Sequence, residues 1–205
     1  MKIEIIAGSA RKGSLSKRVA LHLFEILASH AQLEVGIIDM QDHHLPPVYN
    51  PWQGSEDAPR HLRNIATRVF DADAFVLVSP EYNGSYSPAL KNFLDHFPKR
   101  ERKVFGIVTS SPGNFGGMRA AVQLQNLIFG LCGIGVPRML IAPEVDKKFS
   151  ESGDLLDPTF AADVNAFIKE FVWLSTAVSD TVPRGRLAVN GFPLTHKLHR
   201  VIGFQ

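Results

Sequence analysis

The chain has 205 residues, 45% of them apolar and 20% charged, and a net charge of +2. That length permits one domain with a full core, the composition excludes disordered and collagen-like classes, and the charge is too small to argue for nucleic acid. A single cysteine, Cys132, excludes an internal disulfide and fits a reducing compartment.

Lys2–Ala7 is a strand-like run that opens the chain without a basic, apolar leader. It is followed by the Gly/Ser loop from Gly8 to Ser16 and then by Val19, Leu23, Ile26 and Leu27 at helical spacing. Strand, loop and helix start in this order aim unpaired amides and the positive end of a helix dipole at an anion, most simply a phosphate. Gly8 and Gly13 have the spacing of a nucleoside-triphosphate loop, but Ser14 and Leu15 stand where its Lys-Ser/Thr pair belongs. No third glycine completes a dinucleotide fingerprint. What remains is Ser9, Ser14, Ser16 and Arg11, a donor set suited to a terminal monophosphate. Lys12, Lys17 and Arg18 add general attraction for an anion.

A second strand is predicted over Leu33–Asp39, and a Pro-rich loop over Asp39–Ser55 with Tyr49 and Trp52. That loop is too aromatic for a linker and is expected to wall the site or meet another subunit. His43 and His44 within it lack a third ligand at metal spacing and are read as a solvated pair. Ala58–Phe70 follows as a helix, with Leu62, Ile65, Ala66 and Val69 inward and Arg60, Arg63 and Arg68 on a solvated face.

Ala74–Ser79 reads as a fully buried strand. After it, Pro80, Glu81, Tyr82, Asn83 and Gly84 form a turn before a helix over Pro88–Phe97 that carries proline in its first turn. The turn leaves backbone amides and a flat aromatic at the carboxyl end of a sheet, where α/β proteins bind ligands. Asp95 and His96 are expected at the helix end, facing the dipole or solvent. A fourth strand, Lys103–Thr109, leads through a loop containing Ser111 and Gly113 to a helix over Gly117–Cys132. The apolar setting of Cys132 predicts a buried thiol. A strand over Val136–Ile141 and a helix over Pro158–Ala177 complete five strand–helix alternations, which predict a parallel sheet covered on both faces. The expected division is a domain over 1–178 and an extension over 179–205, whose apolar residues include Phe192, Leu194, Leu198, Val201, Ile202 and Phe204. No stretch of about 18 apolar residues occurs, so the expectation is a cytoplasmic protein with no membrane span.

The loop with Gly8, Ser9, Arg11, Ser14 and Ser16, the segment Pro80–Ser85, and Leu90, Lys91, Asn92, Leu94 and Asp95 together resemble the NADPH-dependent FMN reductase family, from about Lys2 to about Trp173. Ser110–Ala120 is similar to that family's loop after the fourth strand. Ser16 departs from the asparagine many relatives carry, but its hydroxyl still donates. The resemblance implies a flavodoxin-like fold with strand order 2-1-3-4-5 and an FMN cofactor. It implies that Ser9, Arg11, Ser14 and Ser16 hold the phosphate and that Pro80, Glu81, Tyr82, Asn83 and Gly84 line the isoalloxazine. Ser111 and Gly113 are further candidates for the ribityl chain and ring edge. The cofactor brings its own redox chemistry, so no catalytic acid or nucleophile is required.

The implied function is hydride transfer from NADPH or NADH, and onward by a ping-pong mechanism to a flavin, quinone, azo or metal-oxyanion acceptor, in a homodimer or homotetramer with no nucleic-acid or membrane partner. The alternative is a flavodoxin-type electron carrier, against which the pI of about 8.7 argues, since such carriers tend to be acidic. A serine hydrolase or phosphate-handling protein is the third reading; no hydrolase elbow or triphosphate-loop lysine supports it.

Overall fold

A computed structural model describes residues 1–181; the extension predicted to begin at residue 179 therefore lies almost wholly outside the described residues. Within them, β1 (Lys2–Ala7), β2 (Glu34–Asp39), β3 (Ala74–Pro80) and β4 (Val104–Ser110) form a parallel sheet in the order β2-β1-β3-β4. The crossovers are α1 (Leu15–Ala28), α2 (Arg63–Asp71) and α3 (Pro88–Asp95), followed by α4 (Met118–Gly130). This is the expected flavodoxin-like arrangement, with β1 and β3 as neighbours flanking the point where strand order reverses.

The predicted fifth strand is broken in two. β5 (Ile134–Gly135) and β6 (Leu140–Ala142) both pair with β4, with Gly135 opposite Phe105 and Leu140 opposite Val108. Pro137 stands in the interruption and has no amide to give a ladder. Beyond β6 come a short helix, α5 (Val145–Lys148), that the sequence did not suggest, and α6 (Ala161–Thr181), which enters through a 3-10 turn at Pro158–Phe160. The second helix is likewise shorter than expected, because Arg60–Leu62 forms a 3-10 turn before α2.

Alternation along the central strands sends side chains into two cores. Ile3, Ile5, Val76 and Val108 pack with Val19 and Leu23 of α1 and Phe167 and Phe171 of α6. Ile6, Phe75, Leu77 and Phe105 pack with Val69 of α2, Leu90 and Phe93 of α3 and Leu124 of α4. Each such side chain contributes about 1.5–3 kcal/mol on burial. Gly106 of β4 lets α6 come close, since a β-carbon there would lie 2.8 Å from the Phe167 ring.

Three readings of single residues are corrected. Cys132 is exposed: Leu131 takes the buried position after α4, and Cys132 itself turns the chain at φ 56°. His96 is buried at 2% exposure and stacks on Trp52 at 4.4 Å, rather than facing solvent. Its Nε2 lies 3.1 Å from the Pro46 carbonyl, and burial holds the imidazole below its ordinary pKa. The Pro-rich loop is thus pinned on the end of α3, although Tyr49 is 87% exposed. Arg68 is no solvated arginine: it grips Glu4 of β1 through Nε at 2.9 Å and Nη2 at 2.5 Å, and Nη2 also reaches the Ile37 carbonyl at 2.9 Å.

Glu4 is only 7% exposed, and Arg68 is its charged partner. Removing one partner of a buried pair strands the other, whereas replacing both by apolar groups is often neutral. Arg68→Met is expected to lower unfolding free energy by about 3 kcal/mol, the low end for a buried pair because the Arg68 side chain is 32% exposed, and the Glu4→Leu/Arg68→Met double variant to recover most of the loss. Urea denaturation of the three proteins measures both values.

Candidate functional site

The crevice between β1 and β3 is held by backbone as much as by side chains. Gly8 follows β1 and donates its amide to the Val78 carbonyl at 2.8 Å. A β-carbon at Gly8 would come within 2.9 Å of that carbonyl and 3.0 Å of the Leu90 β-carbon, so only glycine lets the loop turn here. The Gly8 carbonyl accepts a short hydrogen bond from the Ser87 hydroxyl, and the same hydroxyl oxygen caps α3 by accepting from the Leu90 amide at 3.1 Å. Ser79 completes the bracket, its hydroxyl accepting from the Ser87 amide at 3.0 Å and donating to the Pro80 carbonyl at 2.9 Å. Ser79 and Ser87 are fully buried.

The loop ends at α1 with its polar groups unspent. Ser14 occupies the cap position but makes no capping bond; its hydroxyl pairs with that of Ser16 at 2.9 Å. The first turn of α1 carries no acidic residue, and the amides of residues 12–16 donate to no other protein group among the described residues. Five unspent amides in the loop and first helical turn, beside two hydroxyls, present the kind of end that can accept an anion. Among the basic neighbours, Lys17 is committed to Asp39 at 2.7 Å, a contact that holds its ammonium above the ordinary pKa. Arg18 donates to the Phe149 carbonyl at 3.0 Å. Both side chains are engaged with protein partners, whereas the exposed Lys12 has none among the described residues.

The predicted turn after β3 is present. Tyr82 and Ser85 exchange backbone hydrogen bonds at 2.8 and 3.1 Å around Asn83 and Gly84, both at positive φ. Backbone closure of the turn leaves the Asn83 and Gly84 amides without a protein acceptor among the described residues. Tyr82 meets the first loop directly: its hydroxyl lies 3.2 Å from Ser9 Oγ, and the Arg11 guanidinium sits 4.2 Å above its ring. Arg11, Glu81, Tyr82, Asn83, Tyr86 and Lys91 line a cleft of about 640 Å3, within the range of small-ligand sites. Burial pushes the Tyr86 phenol above its ordinary pKa.

Ser9, Arg11 and Tyr82 are thus brought together, with Glu81 and Asn83 in the same cleft. Ser111 and Gly113 are not joined to them: the Ser111 hydroxyl donates to the Gly113 carbonyl at 3.0 Å, and that carbonyl also accepts from Glu144. The link from the third loop is Arg119, in the first turn of α4. Its Nε and Nη2 lie 2.7 and 2.5 Å from Oε1 of Glu81. Sequence reasoning missed Ser79, Ser87 and Arg119. The pair Ser87-Pro88 is a readable cap signal, but the Glu81–Arg119 contact spans 38 residues and has no local signature. No group of three metal-binding side chains occurs among the described residues, and none of their helices is long and apolar enough to cross a membrane.

A family model described as NADPH-dependent FMN reductase matches residues 1–146. An FMN-dependent NADPH-azoreductase of Staphylococcus saprophyticus is 32% identical over 181 residues, covering 84% of this chain and 94% of that protein. Its counterpart in Staphylococcus haemolyticus is 30% identical over 183 residues, with the same shares covered. Among solved structures, FerB, a flavoenzyme NAD(P)H:(acceptor) oxidoreductase of Paracoccus denitrificans, superimposes with a TM-score of 0.69 at 23% identity, covering 86% of this chain and 97% of that one. A flavodoxin variant of Pseudomonas aeruginosa superimposes at 0.54 with 17% identity, covering 84% and 99%; these two likenesses are of fold.

Ser87 supports both loops, so Ser87→Ala should cost about 2–3 kcal/mol, one part for the lost cap and one for the stranded Gly8 carbonyl. Urea denaturation gives the cost. Hydrogen exchange should become faster at the Gly8 and Leu90 amides, which this bracket holds, while Ser87→Thr keeps most of the protection.

Proposed function

The chain belongs to the NADPH-dependent FMN reductase family, and we propose that within it this oxidoreductase binds FMN at the β1–β3 crevice, takes hydride from NADPH and reduces a small acceptor. The observation that carries the reading is the uncapped start of α1, with unspent amides and the Ser14 and Ser16 hydroxyls, next to a turn whose Asn83 and Gly84 amides are also unspent. These groups fit a ligand with one terminal phosphate and a flat ring edged by acceptors. The residues that would hold the phosphate are Ser9, Arg11, Ser14 and Ser16; those that would line the ring are Pro80, Glu81, Tyr82, Asn83 and Gly84. Ser111 and Gly113 are kept as candidates for the outer edge.

Bound FMN supplies the redox chemistry, accepting a hydride and passing the electrons on. The protein's part is placement and charge. Turn amides that donate where negative charge gathers favour reduction, because they are fixed before the reaction and need no reorientation. An open cleft that admits donor and acceptor in succession supports ping-pong kinetics. The proposed acceptors are a flavin, a quinone, an azo compound or a metal oxyanion; the azoreductase relatives favour the azo class. The place of action is proposed as the cytoplasm, in keeping with one exposed free thiol.

Purified protein given FMN should show flavin absorbance that bleaches when NADPH is added without oxygen, and steady-state plots should be parallel. A flavodoxin-type carrier would keep its colour on the timescale of turnover. In the same assay Arg11→Ala should bind FMN about 10- to 150-fold more weakly, the loss of one charge-assisted bond of about 1.5–3 kcal/mol. Riboflavin, which has no phosphate, should bind variant and parent alike. Unchanged FMN affinity would confine Arg11 to its stacking on Tyr82.

A homodimer or homotetramer is also proposed. Trp52 is satisfied within the protomer, but Met118, Val122 and Phe129 leave an exposed apolar stripe along α4, with Phe115 just before it. Light scattering at micromolar concentration should report at least two chains, and Val122→Lys/Phe129→Lys should shift the protein toward one.

A further inference from the structure

Arg119 stands where a cation is disfavoured. It lies in the first turn of α4, whose amino end carries the positive pole of the helix dipole, and no acidic residue shares that turn. Its side chain is 77% exposed, so packing does not explain the position. What it touches is Glu81, whose side chain is only 12% exposed and whose Oε1 takes both Nε and Nη2. Glu81 follows β3 directly and lines the same cleft as Tyr82 and Asn83. The loop that presents Arg119 is itself fixed, with Gly116 and Gly117 at positive φ and the Gly113 carbonyl tied to the Glu144 amide.

A nearly buried carboxylate beside a redox site opposes any step that adds negative charge there, and its effect is strongest where water is excluded. Pairing with a guanidinium removes most of that opposition without removing the residue. Resting on the FMN reading above, we propose that Arg119 is a positioning residue that neutralises Glu81 and so raises the reduction potential of the bound cofactor. The reaction itself is unaltered; what the ion pair sets is how far electrons from the nicotinamide donor are drawn into the site. The contact also links the segment after β3 to the start of α4, so the neutralised carboxylate keeps one orientation.

The test measures the midpoint potential of the FMN-loaded protein together with dissociation constants for oxidised and reduced FMN, in the parent, Arg119→Gln, Arg119→Lys, Glu81→Gln and the Arg119→Gln/Glu81→Gln double variant. Arg119→Gln should weaken reduced FMN about tenfold relative to oxidised, a downward shift of about 30 mV for a two-electron couple. Arg119→Lys should fall between it and the parent. Glu81→Gln should shift the potential upward, and the double variant should return toward the parent. A merely structural role would weaken both redox forms equally and leave the potential unmoved in every variant. A parent that binds FMN while Arg119→Gln keeps its potential overturns the ion-pair role alone; a parent that takes up no FMN overturns the cofactor reading and this inference together.

Discussion

The Ser87 hydroxyl sits between two loops that are 79 residues apart in the chain, donating to the Gly8 carbonyl and accepting from the Leu90 amide. Parallel strands cannot be joined by a tight turn, so β1 and β3 become neighbours only through long crossovers, and their loops need a separate lock. Ser87 supplies it from a buried position, and Gly8 makes it possible by having no side chain to obstruct Val78 and Leu90. The relative placement of Ser9, Arg11 and Tyr82 follows from this lock.

Charge is distributed around the crevice with little redundancy. Lys17 and Arg18 have partners elsewhere, Arg119 is spent on Glu81, and Arg11 rests on the Tyr82 ring. An anion arriving at α1 therefore meets amides and hydroxyls together with two nearby charges, Arg11 and the exposed Lys12. A cation–π contact at such a site is worth about 0.5–1 kcal/mol, small against a charge-assisted bond to phosphate. The guanidinium can exchange one partner for the other at little cost.

Most of the framework was legible because it is written locally. The apolar runs at 74–78 and 104–108 have strand character on both faces, the run at 2–7 reads as a strand despite Glu4, and the Gly/Ser loop and Asn83-Gly84 turn announce themselves by composition. Boundaries suffered where a local rule met a tertiary one: Pro137 split the fifth strand, and Arg60–Leu62 tightened into a 3-10 turn. The single-residue errors have two causes. The environments of Arg68 and His96 are set by Glu4 and Trp52, distant in sequence, and that of Cys132 by a left-handed turn just past the end of α4 that its apolar neighbours do not reveal. Periodicity shows which face a residue occupies but not what lies opposite it, and for Glu81 the answer was 38 residues away.

The two cores divide the chain unequally in time as well as in space. The groups proposed for the phosphate and most of those proposed for the flat ring lie before residue 85, so a growing polypeptide has made them before half of it is synthesised, while Lys91 of the cleft and Arg119 beside Glu81 come later. Yet the face of the sheet that carries Val76, Gly106 and Val108 is covered in part by Phe167 and Phe171, which are made among the last. Until α6 arrives, that face is an apolar surface on unfinished protein, the kind that draws chaperones or neighbouring chains. The amino-terminal half therefore carries the proposed ligand groups without the helix that helps cover one face of their sheet, and a chain ending before α6 would leave part of that apolar face bare.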